Sequence, residues 1–198
     1  RLQATGVLNV PIIEDELAIR VAYHHEHVNG YTTQIAPAVL ISGLPVNYDV
    51  GKKLDEVNND SVRLSVDWKR GAFKNFAVFS YLNVNQNGTG AILSFANPGL
   101  PAFNGGGRFT DIRNLILAEQ ARINNGGSVR QTPAAQNQAI FDLMRHKSLI
   151  DVAEYDFGDL GFTTLRAKNV FSYQEIKGVS GFQLDGVGGV TVSSYACP

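Results

Sequence analysis

The sequence predicts a mainly β fold: the antiparallel up-and-down strands of a transmembrane β-barrel, with two short helices in a long extracellular loop. Three observations carry that expectation. Apolar and polar residues alternate with period two over several runs of strand length. Tight turns and long excursions take turns in joining them. In an antiparallel sheet, that order collects every tight turn at one end and every long loop at the other. Strands of about ten residues with segregated connections describe an outer-membrane barrel, and soluble sandwiches show less of this segregation.

The elements follow in order. Leu2–Ile13 is a strand, with Pro11 near its end, where a missing N–H costs least. The acidic turn Glu14-Asp15-Glu16 is too short for a crossover, so Leu17–Val28 pairs back antiparallel. In that second strand Leu17, Ile19, Val21 and Tyr23 share one face, and Ala18, Arg20, Ala22 and His24 the other. Tyr31 to Asp60 reads as a long loop, with Ala38–Ile41 a short strand or a buried patch. Ser61–Lys69 alternates again, with Val62, Leu64, Val66 and Trp68 opposed to Arg63, Ser65 and Asp67. Arg70-Gly71 turns the chain into a fourth strand, Phe73–Gln86, in which Phe76 and Val78 oppose Phe79 and Tyr81.

Asn87 to Lys147 is the second long excursion, and two helices are expected in it. Asp111–Asn124 has Ile112, Leu115, Ile116 and Ile123 at helical spacing, with Thr110 as N-cap and Gly126 as stop. Pro133–Lys147 has Thr132 as N-cap, Pro133 at the first position, then Ile140, Leu143 and Met144. Ser148–Asp156 resumes strand character, Gly158-Asp159-Leu160-Gly161 turns, and Phe162–Ile176 is the sixth strand. The Gly-rich remainder from Lys177 reads as loop.

Composition narrows the function. A net charge of -1 over 198 residues gives no basic surface for nucleic acid. One cysteine, Cys197, excludes an internal disulfide framework and a Cys-rich zinc site, and its partner is left open. No signal-peptide pattern opens the chain. Its apolar runs are far shorter than the roughly 20 residues of a membrane helix, which says nothing about strands.

His24-His25-Glu26-His27 is the one metal-like cluster, and His25 and His27 would share a strand face. A metal needs further ligands, so a polar strand end at the outer interface is the favoured reading and no cofactor is expected. Tyr23, Tyr31, Trp68, Phe73, Phe76, Tyr81, Phe171 and Tyr173 lie near strand ends or on strand faces, as aromatic girdles or as an ordinary β core. Gly186-Val187-Gly188-Gly189 lacks the following helix of a dinucleotide loop. Asn59-Asp60-Ser61 and Asn87-Gly88-Thr89 match glycosylation acceptors, a frequent chance pattern. No carboxylate pair and no nucleophile elbow nominates an enzyme.

Four segments resemble the barrel domain of TonB-dependent outer-membrane receptors. They are Asn9-Val10-Pro11-Ile12 with Asp15–Arg20; His24–Tyr31, where Asn29-Gly30-Tyr31 stands for a usual Asp-Gly-Tyr; Asn58–Leu64 leading to Trp68-Lys69; and Asn169–Tyr173 with Leu184-Asp185-Gly186. The resemblance implies an importer of a scarce nutrient in the bacterial outer membrane, driven through TonB. The ligand would be an iron chelate, cobalamin, a sugar or a similar small molecule. Such barrels have about 22 strands, so residues 1–198 would be part of one barrel domain. The plug that contacts the TonB complex and the remaining strands would lie outside this sequence.

On that reading Leu17, Ile19, Val21, Val62, Leu64 and Val66 contact outer-membrane lipid, while Arg20, His24, Arg63 and Asp67 face the lumen. The alternative is a soluble or secreted β-rich binding module, such as an adhesin or a fibre-forming subunit, that pairs its edges with neighbouring chains.

Overall fold

The computed structural model describes residues 1–41, 43, 49–93, 108–134, 136, 139–183 and 191–196. Seven strands form one antiparallel sheet in the order β1-β2-β5-β6-β8-β9-β10. They are β1 (Leu2–Ile13), β2 (Leu17–Val28), β5 (Val57–Arg70), β6 (Phe73–Gln86), β8 (Phe141–Asp159), β9 (Thr164–Gln183) and the short β10 (Thr191–Ala196). Three further strands, β3 (Thr32–Ile35), β4 (Lys53–Leu54) and β7 (Gln131–Pro133), make a small second sheet in the order β4-β3-β7. One helix, α1 (Arg108–Asn124), completes the described elements. The large sheet is open: β1 and β10 occupy its two edges.

Tight turns do collect at one end. β1 and β2 are joined through Asp15, whose φ of 58° is tolerated by aspartate, and β5 and β6 through Gly71, whose φ is also 58°. The Lys69 N–H donates to Glu16 O at 2.7 Å and the Asp156 N–H to Ala72 O at 3.0 Å, so neighbouring turns are tied into one rim. The long connections leave from the other end, after β2 and after β6.

Several expected boundaries change. β5 begins at Val57, since Asn58, Asn59 and Asp60 pair with His27, Glu26 and His25. Thr110 lies inside α1 and does not cap it, while the stop at Gly126 holds, with φ +83° and its N–H on Ile123 O at 3.0 Å. β9 runs on to Gln183, because Lys177–Gly181 pair with Phe141–Arg145. The turn expected from Gly158 starts later, as β8 reaches Asp159 through a register shift between Asp156 and Gly158.

None of the described residues of the expected helix Pro133–Lys147 is helical. Gln131–Pro133 form β7, and Phe141–Lys147 begin β8. Phe141, Leu143 and Arg145 fall on one face of that strand and Asp142, Met144 and His146 on the other. The open edges of β6 and β9 satisfy the backbone of Phe141–Lys147 over its length, and this pairing outweighs a helical spacing of three apolar residues.

Register fixes two faces. On the first, Leu8, Val21, Leu64, Phe79, Leu149 and Tyr173 form one continuous row across six strands, and Val10, Ile19, Val66 and Ala77 a second row beside it. Apolar side chains here stay open, Leu8 at 61% exposure and Leu64 at 37%. Well-buried side chains gather instead in the loop segments, where Leu54, Leu115, Ile140 and Thr132 are at most 1% exposed. The Ala38–Ile41 run is not a strand and is buried only in part: Ile41 packs on Leu115 and Ile116 with half-buried Val39 beside them, while Ala38 and Leu40 are exposed.

Candidate functional site

The two long loops fold into one cap. β3 from the first lies parallel to β7 from the second, pairing Thr33 with Gln131, Gln34 with Thr132 and Ile35 with Pro133. The Thr33 N–H donates to Arg130 O at 2.8 Å and the Ala134 N–H to Ile35 O at 2.9 Å. Buried Thr132 donates through Oγ1 to Ala91 O at 2.6 Å. Asp55 ties the base of the cap together: its N–H donates to Gly88 O at 2.8 Å, and its carboxylate accepts from the Gly90 N–H at 3.0 Å and from Thr32 Oγ1.

Inside the cap, buried Glu119 receives a two-pronged contact from Arg122, Nε at 2.8 Å and Nη2 at 2.6 Å. Arg122 also donates to Ser128 O and Gln131 O, both at 3.0 Å, and so staples the end of α1 to the start of β7. These hydrogen bonds to Glu119 hold the Arg122 guanidinium above its ordinary pKa.

The second face of the sheet is polar over β2 and β5. Ala18, Arg20, Ala22 and His24 pair with Asp67, Ser65, Arg63 and Ser61. Arg20, His24, Arg63 and Asp67 therefore share a face, as the alternation requires. A concavity of about 640 Å³ opens on it, lined by Asn9, Pro11, Arg20, Arg63, Ser65, Asp67 and Phe76 among others. Towards the loop end His24 accepts or donates to Thr5 Oγ1 at 2.8 Å, and His146 meets Gln174 Nε2 at 2.9 Å.

His25 and His27 do share a face, and it is the apolar one, beyond Tyr23 towards the loops. His25 Nδ1 meets Asp60 Oδ1 at 2.9 Å, and Tyr23 Oη donates to the same oxygen at 2.7 Å. His27 faces Glu56 at 3.6 Å and Asn29 Oδ1 at 2.9 Å. Each histidine thus has its own carboxylate on or beside β5. Among the described residues no three potential ligands come together around a metal position.

The aromatic residues separate by register. Tyr23 and Tyr81 both lie opposite Val62, forming a row at the loop end of the apolar face. Trp68 and Phe73 stack edge-to-face at 5.2 Å near the turns, and Phe73 pairs with Tyr155, which meets Phe157 at 4.7 Å. Phe73 and Tyr81 are eight positions apart on β6, about 27 Å at roughly 3.4 Å per residue. Phe76 points to the polar face, opposite Asp67. Phe171 and Tyr173 fall at mid-sheet, opposite Asp151 and Leu149, and Tyr31 lies outside the strands. Asp151 interrupts the apolar band on β8, where Asn75 Nδ2 donates to it at 2.7 Å.

Sequence reading expected a helical cap from the second loop alone and missed the strand pairing that joins it to the first. Its two halves lie far apart in the chain, and each is short. The available signal was the Thr-rich pair of segments Thr32-Thr33 and Gln131-Thr132, whose β-branched residues favour strands. The segments Leu184-Asp185-Gly186 and Gly186–Gly189, and Cys197, lie outside the described residues. No family model, no curated protein and no solved structure matches this chain.

Proposed function

We propose that the chain is part of the barrel of a TonB-dependent outer-membrane receptor that imports a scarce small molecule. The observation that carries the reading is the exposed apolar face of β1, β2, β5 and β6. It is bounded by Trp68 and Phe73 at the turn end and by Tyr23 and Tyr81 at the loop end. An apolar band with aromatic residues at both edges is what a lipid-facing barrel wall requires. The all-antiparallel sheet and the gathering of tight turns at one rim support the same reading. On it the turn rim is periplasmic, the cap built from β3, β4, β7 and α1 is extracellular, and the polar concavity faces the lumen. Open edges are not tolerated in lipid, so the strands that close the barrel, and the plug that meets TonB, belong to a longer polypeptide.

The outer edge of β1 favours one other reading. Among the described residues nothing pairs with the outer side of this twelve-residue strand, an edge that a secreted module could use to join copies of itself or other chains.

An intact mass of the native polypeptide, taken from the membrane fraction, tests the proposal. A mass several times 21.5 kDa is the expected result. A mass near that value from a soluble fraction overturns it in favour of the self-associating module.

A further inference from the structure

Four Asn-Gly pairs occur in the chain, at 29–30, 87–88, 104–105 and 125–126. In such a pair the glycine nitrogen can attack the asparagine side-chain amide, because glycine has no Cβ to hinder ring closure and ranges widely in φ. Asparagine is among the thermally labile residues. The surroundings separate the four pairs. Residues 104–105 lie outside the described residues.

Asn29-Gly30 sits at the joint between β2, which ends at Val28, and β3, which starts at Thr32. Asn29 is exposed, and its Oδ1 meets His27 Nε2 at 2.9 Å. An amide oxygen only accepts, so Nε2 is the donor. Glu56, 3.6 Å from Nδ1, flanks the ring on its other side. The donor is aimed at the atom on which negative charge develops when the amide carbon is attacked. The attacking atom is unengaged: among the described residues nothing accepts from the Gly30 N–H. Packing dictates glycine here, since a Cβ would sit 2.2 Å from Leu54 O.

The other two described pairs lack this combination. Asn125 is exposed, but the Gly126 N–H already donates to Ile123 O at 3.0 Å. Asn87 is half-buried, and among the described residues no donor reaches its side chain.

We propose that Asn29 is a modification site activated by His27, and that its product loosens the entry to the cap. The Gly30 nitrogen bonds to Asn29 Cγ and gives its proton to water, while the His27 Nε2–H stabilises the oxyanion. The Cγ–Nδ2 bond then breaks, the amide nitrogen takes a proton from water and leaves as ammonia, and a succinimide remains. Water opens the ring at either carbonyl, giving aspartate or isoaspartate at position 29. Isoaspartate lengthens the main chain by one atom, at a joint where Gly30 already packs tightly on Leu54. The chemistry is the same whether the chain walls a barrel or forms a secreted module.

The test is peptide-mapping mass spectrometry of the native polypeptide during incubation at neutral pH. Exchange of NH for O marks conversion, and electron-transfer fragments tell isoaspartate from aspartate. Position 29 should convert first, at least about fivefold faster than position 125, the worth of one hydrogen bond made in the transition state. His27→Ala should remove that advantage and leave position 125 unchanged. Should the variant not fold, the unmodified protein in denaturant decides: there the sites should convert at like rates, and an advantage that survives unfolding overturns the site. Conversion at position 29 no faster than at position 125, or an unchanged or faster rate in folded His27→Ala, also overturns it. In material aged to isoaspartate, hydrogen exchange at Thr33 should accelerate, and unchanged exchange there overturns the loosening of the cap.

Discussion

Gln136 holds the two long loops together through Ile41. Its Oε1 accepts the Ile41 N–H at 2.9 Å, across 95 positions of sequence, while its Nε2 donates to Val39 O at 3.0 Å. One buried amide thereby satisfies two backbone groups of a segment that has no strand partner of its own.

Removing that amide should open the cap before it touches the sheet. Gln136→Ala leaves a buried donor and acceptor unpaired, a cost of about 1–3 kcal/mol. Hydrogen exchange should accelerate at Ile41 and across the β3–β7 pair while β5 and β6 keep their protection. Unchanged exchange at Ile41 would count against the latch.

The Glu119–Arg122 pair should be asymmetric. Arg122→Ala strands a carboxylate that is 4% exposed and should cost about 3 kcal/mol. Glu119→Gln, which keeps the shape and removes the charge, should cost less. Thermal melts of both variants check the order, and equal losses would contradict it.

Gly30 should resist any side chain. A Cβ there would sit 2.2 Å from the Leu54 carbonyl oxygen, a backbone atom, whereas one at Gly6 would meet nothing within 4 Å. Gly30→Ala should therefore destabilise by about 1–3 kcal/mol as overpacking does. Gly6→Ala should stay within about 0.5 kcal/mol. Denaturant midpoints of the two variants make the comparison.

The facing of β5 can be read from neighbouring substitutions. On the receptor reading, Leu64→Arg should cost about 2–4 kcal/mol in membrane assembly at mid-bilayer depth. Ser65→Arg, on the polar face, should be tolerated. Assembly that survives the first and fails with the second would reverse the assignment of faces.

Much of the sheet was legible because its signal is local. Period two in Leu17–Tyr23 and Val62–Trp68 fixes which residues share a face, and the turns Glu14–Glu16 and Arg70–Gly71 fix antiparallel pairing. The same alternation put Arg20 and Arg63 together on the polar side. It could not show that they line one concavity, or that Asp67 is already engaged by Lys69, because side-chain partners depend on strand register and rotamer.

Other features needed the assembled chain. Pro133–Lys147 has a helix-like sequence, yet its backbone completes the cap and bridges β6 to β9. His25 and His27 share a face as their spacing demands, but Asp60 and Glu56 reach them only through the extension of β5 to Val57. By itself, then, the sequence determined a mainly β, antiparallel sheet with its faces and its two unlike ends, since alternation and turns act between near neighbours. Only the tertiary structure decided where the buried core lies. The sheet keeps its apolar face open, and the dense packing is in the cap, because β3, β7 and α1 bury side chains that no single segment could cover alone.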